Sequence, residues 1–216
     1  MKLSVTKLRS FIQERKKAQF DHFIVYLFPI CSALVSTVFS TNYLTTIILF
    51  YGLPSVYLSF RYSRYIKKAL FFALIFGSVI TVPLDYLAHL NGSWEIIAPG
   101  YRILEYIPIT DFIWAILIVY LLAIHHEGIA HHRLNDTVFQ KRTKLFINSM
   151  IAILITFMIF KLKFHDYMKV DYFYLKAGIV SLVIPTFFWL HNRLKVAFSF
   201  FKTAIFSLSL QFSMKL

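Results

Sequence analysis

The chain reads as an all-α integral membrane protein of about seven transmembrane helices, built as two similar halves of which the second is truncated. Three observations carry this reading. Of 216 residues, 58% are hydrophobic and only 15% charged, whereas soluble domains average about 45–50% apolar and about 25% charged. Charge is gathered in short clusters between long uncharged runs. A pattern also recurs: Tyr43-Leu44 followed by Pro54 returns as Tyr174-Leu175 followed by Pro185, at an offset of 131.

Residues 1–19 carry Lys2, Lys7, Arg9 and the run Arg15-Lys16-Lys17 with no small-residue cleavage site after them. They read as a cytoplasmic or interfacial leader rather than a removed signal peptide. The first helical half is residues 20–127. Phe23 to Phe60 is uncharged over 38 residues, nearly twice the roughly 20 that cross a hydrocarbon core. It therefore holds two spans, with the polar break Ser40-Thr41-Asn42 as the turn between them. Ala69–Leu84 and Phe112–Ile124 supply the third and fourth. Residues 128–144 form a basic loop. The second, incomplete half is residues 145–216, with uncharged runs Leu145–Phe160, Ala177–Asn192 and Thr203–Met214. Several runs are short, and reach bilayer thickness where flanking Lys, Arg and Tyr extend to the interface. The offset of 131 added to Asp85 reaches Leu216, so the chain is expected to end where a second acidic loop begins.

Net charge is +13, which in a soluble protein would suggest a nucleic-acid partner. Here the charges follow topology. With the N-terminus and alternate loops on one side, seventeen of the 23 Lys and Arg fall there: the leader, Arg61 to Lys68, Arg133 to Lys144 and Arg193 to Lys202. The other six are Arg102, Lys161, Lys163, Lys169, Lys176 and Lys215. The positive-inside rule then puts the N-terminus in the cytoplasm. The partner implied by composition is the lipid bilayer, with no nucleic acid. The single cysteine, Cys31, excludes an intrachain disulfide framework.

Four of the ten acids, Asp85, Glu95, Glu105 and Asp111, lie in the connection between the third and fourth spans, accompanied by one base, Arg102. Rings are interleaved with them: Tyr86, Trp94, Tyr101, Tyr106 and Trp114. A carboxyl drawn out of water holds its proton more tightly and can act as a donor, and ring faces stabilise nearby positive charge. The plainer reading makes Asp85 and Asp111 interfacial helix ends, with Trp94 and Tyr101 in an aromatic belt. Asp111 follows Pro108, where an acid complements a helix start.

The order Asp85, Gly92, Trp94, followed by a Pro-led acidic helix start at Pro108, resembles the membrane lycopene cyclase domain family, small carotenoid cyclases made of two similar halves. The likeness runs from about Tyr43 to Glu127. Where the family has Pro-x-Glu-Glu, this chain has Pro108-Ile109-Thr110-Asp111, a hydroxyl and a shorter acid. Displacement of a reacting group by about 1 Å can cost about a hundredfold in rate. The resemblance implies a redox-neutral isomerase or intramolecular lyase in carotenoid biosynthesis, acting on a lycopene-like polyene. Asp85 and Asp111 would share the acid and base roles in an order left open. Tyr86, Trp94 and Trp114 would line the cation, Gly92 would allow a tight turn, and Pro108 and Thr110 would complete the substrate wall. Glu95 and Glu105 are secondary candidates. A separate second-half chain or a homo-oligomer would supply the missing motifs, and no cofactor or metal is implied.

Two other classes compete. A non-catalytic relative that binds a polyene or another membrane protein is compatible with Thr110 and the short second half. A metal-dependent membrane oxygenase would rest on His125-His126-Glu127 and His131-His132, a single box whose spacing suits one helix face poorly. A solvated interfacial histidine patch is the expectation favoured there. The absence of an Asp-Asp-x-x-Asp pair, a GxGxxG and a Walker lysine loop removes sequence support for diphosphate, nucleotide or flavin sites.

Overall fold

The structure, a computed structural model, describes residues 5–80, 85–86, 88–89, 92, 100–103, 107–130, 148–149, 152, 155–156, 159–160, 163, 172, 176, 179 and 194–214. The fifth and sixth expected spans, the 131–144 part of the basic loop and the second copy of the repeat lie largely or wholly outside these residues.

Among the described residues three stretches are long and apolar enough to cross a membrane: Gln19–Phe39, Tyr43–Arg61 and Ile109–Ile129. They correspond to the first, second and fourth expected spans. The first is the inner part of α1 (Val5–Phe39), whose 35 residues reach about 52 Å at 1.5 Å per residue, well beyond a hydrocarbon core. The chain reverses at the expected Ser40-Thr41-Asn42 turn. Ser40 takes a left-handed φ of 46°, and Thr41 donates its N–H to the Ser36 carbonyl at 3.2 Å. Asn42 caps the next helix by accepting the Thr45 N–H at 2.8 Å.

The second span is α2 (Tyr43–Ile47), a π turn over Ile48–Gly52 and α3 (Leu53–Arg61). The wide turn has a covalent cause. Pro54 has no N–H and its ring crowds the carbonyl four residues back, and the Leu53 N–H reaches the Ile48 carbonyl, five residues back, instead. Ser32 fastens this turn to α1 through a 3.0 Å bond to the Leu49 carbonyl. A 3₁₀ turn, Ser63–Tyr65, leads into α4 (Ile66–Leu74) and a second π turn, Ile75–Ile80. The described part of the third expected span is this stretch; 81–84 lie outside.

The structure departs from a purely helical fold at one point. β1 (Arg102–Ile103) and β2 (Ile107–Pro108) pair antiparallel, with Arg102 opposite Pro108. The extended backbone of Pro108, ψ 140°, then opens α5 (Ile109–His125), which continues through a π turn over His126–Ala130. The last described helix is α6 (Leu194–Met214).

The core runs along the inner faces of these helices: Val25, Ile47, Phe50, Tyr51, Leu58, Ile118, Leu121, Ile124, Phe206 and Leu210 are buried together. α5 is approached closely by α4 and the π turn that follows it because they offer small residues at four-residue intervals: Ala69, Ala73 and Gly77. A Cβ at Gly77 would lie 2.8 Å from the Ile116 Cα. Outward faces are apolar, with Phe23, Leu34, Phe39, Phe60 and Phe71 exposed, as a lipid-facing surface requires and a water-facing one does not. The bundle thus has a hairpin end, at Ser40 to Tyr43 and the start of α5, and a basic end, at Lys17, Arg61 to Lys68 and Lys202.

Candidate functional site

Asp111 enters the first turn of α5 because Pro108 starts the helix three residues earlier. Its side chain is buried, at 4% exposure. Tyr43, the first residue of α2 after the Asn42 cap, donates its phenol to Asp111 Oδ1 at 3.0 Å. Asp85 is also buried, in helical backbone, and its carboxyl acts electrostatically on the same phenol. The Tyr43 phenol is thus hydrogen-bonded to Asp111 and lies within electrostatic reach of Asp85. Arg102 on β1 is close enough to act on Asp111.

Thr110 and Trp114 flank Asp111 on α5. The Thr110 hydroxyl and the Trp114 indole nitrogen are both buried without a hydrogen-bond partner among the described residues. Tyr51 meets the Trp114 ring edge to face, with centroids 6.4 Å apart and planes at 84°. Gly92 has φ +62° and donates its N–H to the His89 carbonyl at 2.9 Å, the tight turn expected of it. Pro108 is buried and Tyr86 half-buried. Trp94, Glu95 and Glu105 lie outside the described residues.

Tyr43 and Tyr51 are members of this site that sequence reasoning did not assign to it; Tyr43 is the one that binds the acid. Its position just after the hairpin turn, level with the acid that opens the fourth span, was the available signal.

The basic end holds a second buried carboxylate, Asp21, also missed. It is fully buried and accepts from Tyr57 Oη at 2.7 Å, Tyr62 Oη at 2.7 Å and Arg61 Nε at 2.9 Å, with Arg61 Nη2 also at 2.9 Å. Burial and the neighbouring carboxylate push the Tyr62 phenol above its ordinary range. Asp21 stands two residues before the long uncharged run, and an ionisable residue at such a position is a signal in itself.

The histidine cluster departs from the solvated patch expected of it. His125 is fully buried, stacked on Phe206 with centroids 4.3 Å apart and edge-on to His22 at 5.2 Å. α1 and α6 close over this face of α5, which is why the ring is dry. His126 Nδ1 pairs with Thr203 Oγ1 at 3.0 Å, and Glu127 pairs with Lys68 at 2.6 Å. Among the described residues no group of three or more His, Cys, Asp or Glu is placed to hold a metal ion; His131 and His132 lie outside them.

The class defined by these features is a mostly helical protein, with three helices among the described residues long and apolar enough to cross a membrane and a buried Asp-Tyr pair at one end. Comparisons with protein-family models, curated proteins and solved structures returned no match.

Proposed function

We propose that this chain is a multi-pass membrane protein that performs acid–base chemistry on a polyene within the bilayer, in the manner of the lycopene cyclases it resembles. The observation that carries the reading is the Tyr43–Asp111 bond, with Asp85 acting on the same phenol. A buried carboxyl bonded to one phenol, with a second carboxyl nearby, has the parts for giving up one proton and taking another. In the reaction, a carboxyl proton adds to a terminal double bond, the next double bond closes on the tertiary cation, and a carboxylate removes a ring proton. Atoms and electrons balance without a redox partner. Trp114 and Tyr51 supply ring surface beside the acids for the developing cation. A second-half chain or a second copy is the partner this reading calls for.

The test is expression in a lycopene-accumulating bacterium, where red pigment is expected to become a cyclised yellow or orange product. Asp111→Asn and Asp85→Asn are each expected to abolish product at normal protein levels. Unchanged pigment with wild-type protein, alone and with a candidate second half, removes the cyclase assignment.

One observation favours a binding role without turnover: Thr110 stands where the family has an acid. In that case pigment co-purifies unchanged with the protein. In either role the distribution of Lys and Arg puts the N-terminus in the cytoplasm. In a Cys31→Ser background, an impermeant thiol reagent outside intact cells is expected to label Thr41→Cys and to spare Lys16→Cys; the reverse pattern inverts the topology.

A further inference from the structure

Ring closure of a hydrocarbon leaves two groups in this site without a task. Thr110 and Trp114 are four residues apart on α5 and so share a face, and Asp111 lies between them in sequence. The Thr110 hydroxyl and the Trp114 Nε1 are buried, and neither has a hydrogen-bond partner among the described residues. The Tyr51 hydroxyl is near enough to feel the indole N–H, yet does not reach hydrogen-bonding distance and angle. An indole N–H can only donate, and a buried donor without an acceptor is unfavourable. Ligand sites in apolar surroundings commonly fix orientation with a few such polar groups. A pure hydrocarbon offers them nothing.

We infer that the face of α5 formed by Thr110, Asp111 and Trp114 binds a lipophilic molecule carrying an acceptor oxygen, a carbonyl or a hydroxyl, held by the Trp114 N–H and the Thr110 hydroxyl. This rests on the polyene reading and narrows its ligand class from hydrocarbon to oxygenated polyene. The oxygen sits beside Asp111 and Tyr43, and the chain of the ligand runs along the rings of Tyr51 and Trp114. Selectivity follows from the geometry: a site built to hydrogen-bond a ligand oxygen discriminates against the analogue lacking it, because its own donors are then left unpaired.

The experiment uses the full chain in lipid nanodiscs, titrated with lycopene and with an acyclic apolycopenal, its chain-shortened aldehyde. Bound pigment is measured by absorption after gel filtration. Wild-type protein is expected to hold the aldehyde at least about tenfold more tightly, equal to about 1.4 kcal/mol. Trp114→Phe keeps a ring and Thr110→Val keeps the shape. Each is expected to reduce the preference several-fold and the pair together to abolish it, while the gel-filtration profile and thermal unfolding of the protein in nanodiscs stay those of the wild type, which reports an intact fold. Equal wild-type affinities overturn the acceptor-oxygen inference and leave the polyene reading standing. A preference that survives in the double variant overturns the assignment to Thr110 and Trp114. Binding of neither pigment overturns both readings.

Discussion

The two ends of the bundle each bury an aspartate beside tyrosine, and they do so in different ways. At the basic end Asp21 accepts from two phenols and a guanidinium, which together engage both carboxylate oxygens. At the hairpin end Asp111 takes one phenol, and a second carboxyl stands nearby. The first arrangement ties α1 to α3. The second gives Asp111 one side-chain donor, near the Thr110 hydroxyl and the Trp114 indole, which lack partners among the described residues; the His22 and His125 rings at the basic end lack them too. A saturated network serves structure, whereas an unsaturated one is suited to exchanging protons or taking a ligand.

The largest expected effect tests the saturated end. Asp21→Asn removes the anion that Arg61, Tyr57 and Tyr62 surround. Breaking a buried pair costs about 3–5 kcal/mol, and because the Arg61 side chain keeps 35% exposure, the lower limit of about 3 kcal/mol is expected. Denaturation in detergent measures it. Asp111→Asn, by contrast, keeps an acceptor for Tyr43 and is expected to lose less than about 1 kcal/mol while losing product. Equal destabilisation by the two variants breaks the comparison.

Next comes the seam between α5 and the α4 stretch with the π turn that follows it. Gly77→Ala sets a methyl against the Ile116 backbone, where no flexible side chain can yield. Overpacking of this kind costs about 1–3 kcal/mol, and because α4 leads toward Asp85, product formation is expected to fall together with stability. Full activity with unchanged stability would separate the seam from the site.

Smaller effects refine the picture. Asn42→Ala, which removes the cap positioning Tyr43, is expected to cost about 1 kcal/mol and to weaken ligand binding more than Tyr57→Phe does. The pH dependence at the basic end is set by Tyr62. Its phenol titrates higher in the folded protein than in the unfolded chain, so its contribution to stability is present below its ordinary value of about 10 and is lost as pH rises past it. Tyr62→Phe is expected to flatten that alkaline decline; an unaltered decline assigns it to other groups.

Much of this was legible in the sequence. The uncharged run from Phe23 to Phe60 required two membrane-length helices with a turn at Ser40 to Asn42, and the Pro108 start of α5 with Asp111 in its first turn followed from local rules. The positive φ at Gly92 was likewise a local inference. The pairing of Tyr43 with Asp111, 68 residues apart, was not legible, because periodicity names a face of a helix but not its neighbour. His125 was misread for the same reason: its cluster is polar in sequence, and only the approach of α1 and α6 makes the ring dry. Asp21 was passed over as a flanking charge because its donors come from the far end of the next span.

What the sequence determined by itself is the solvent and the segments. Composition disfavours an all-round water-facing surface, uncharged length sets which helices are long enough to cross a membrane, and proline and capping residues set where they begin and bend. These are one-dimensional properties, governed by transfer free energy and backbone covalent geometry. The tertiary structure decided which aspartate is saturated and which is left open. That depends on hydrogen bonds between residues distant along the chain, whose distances exist only once the helices have packed.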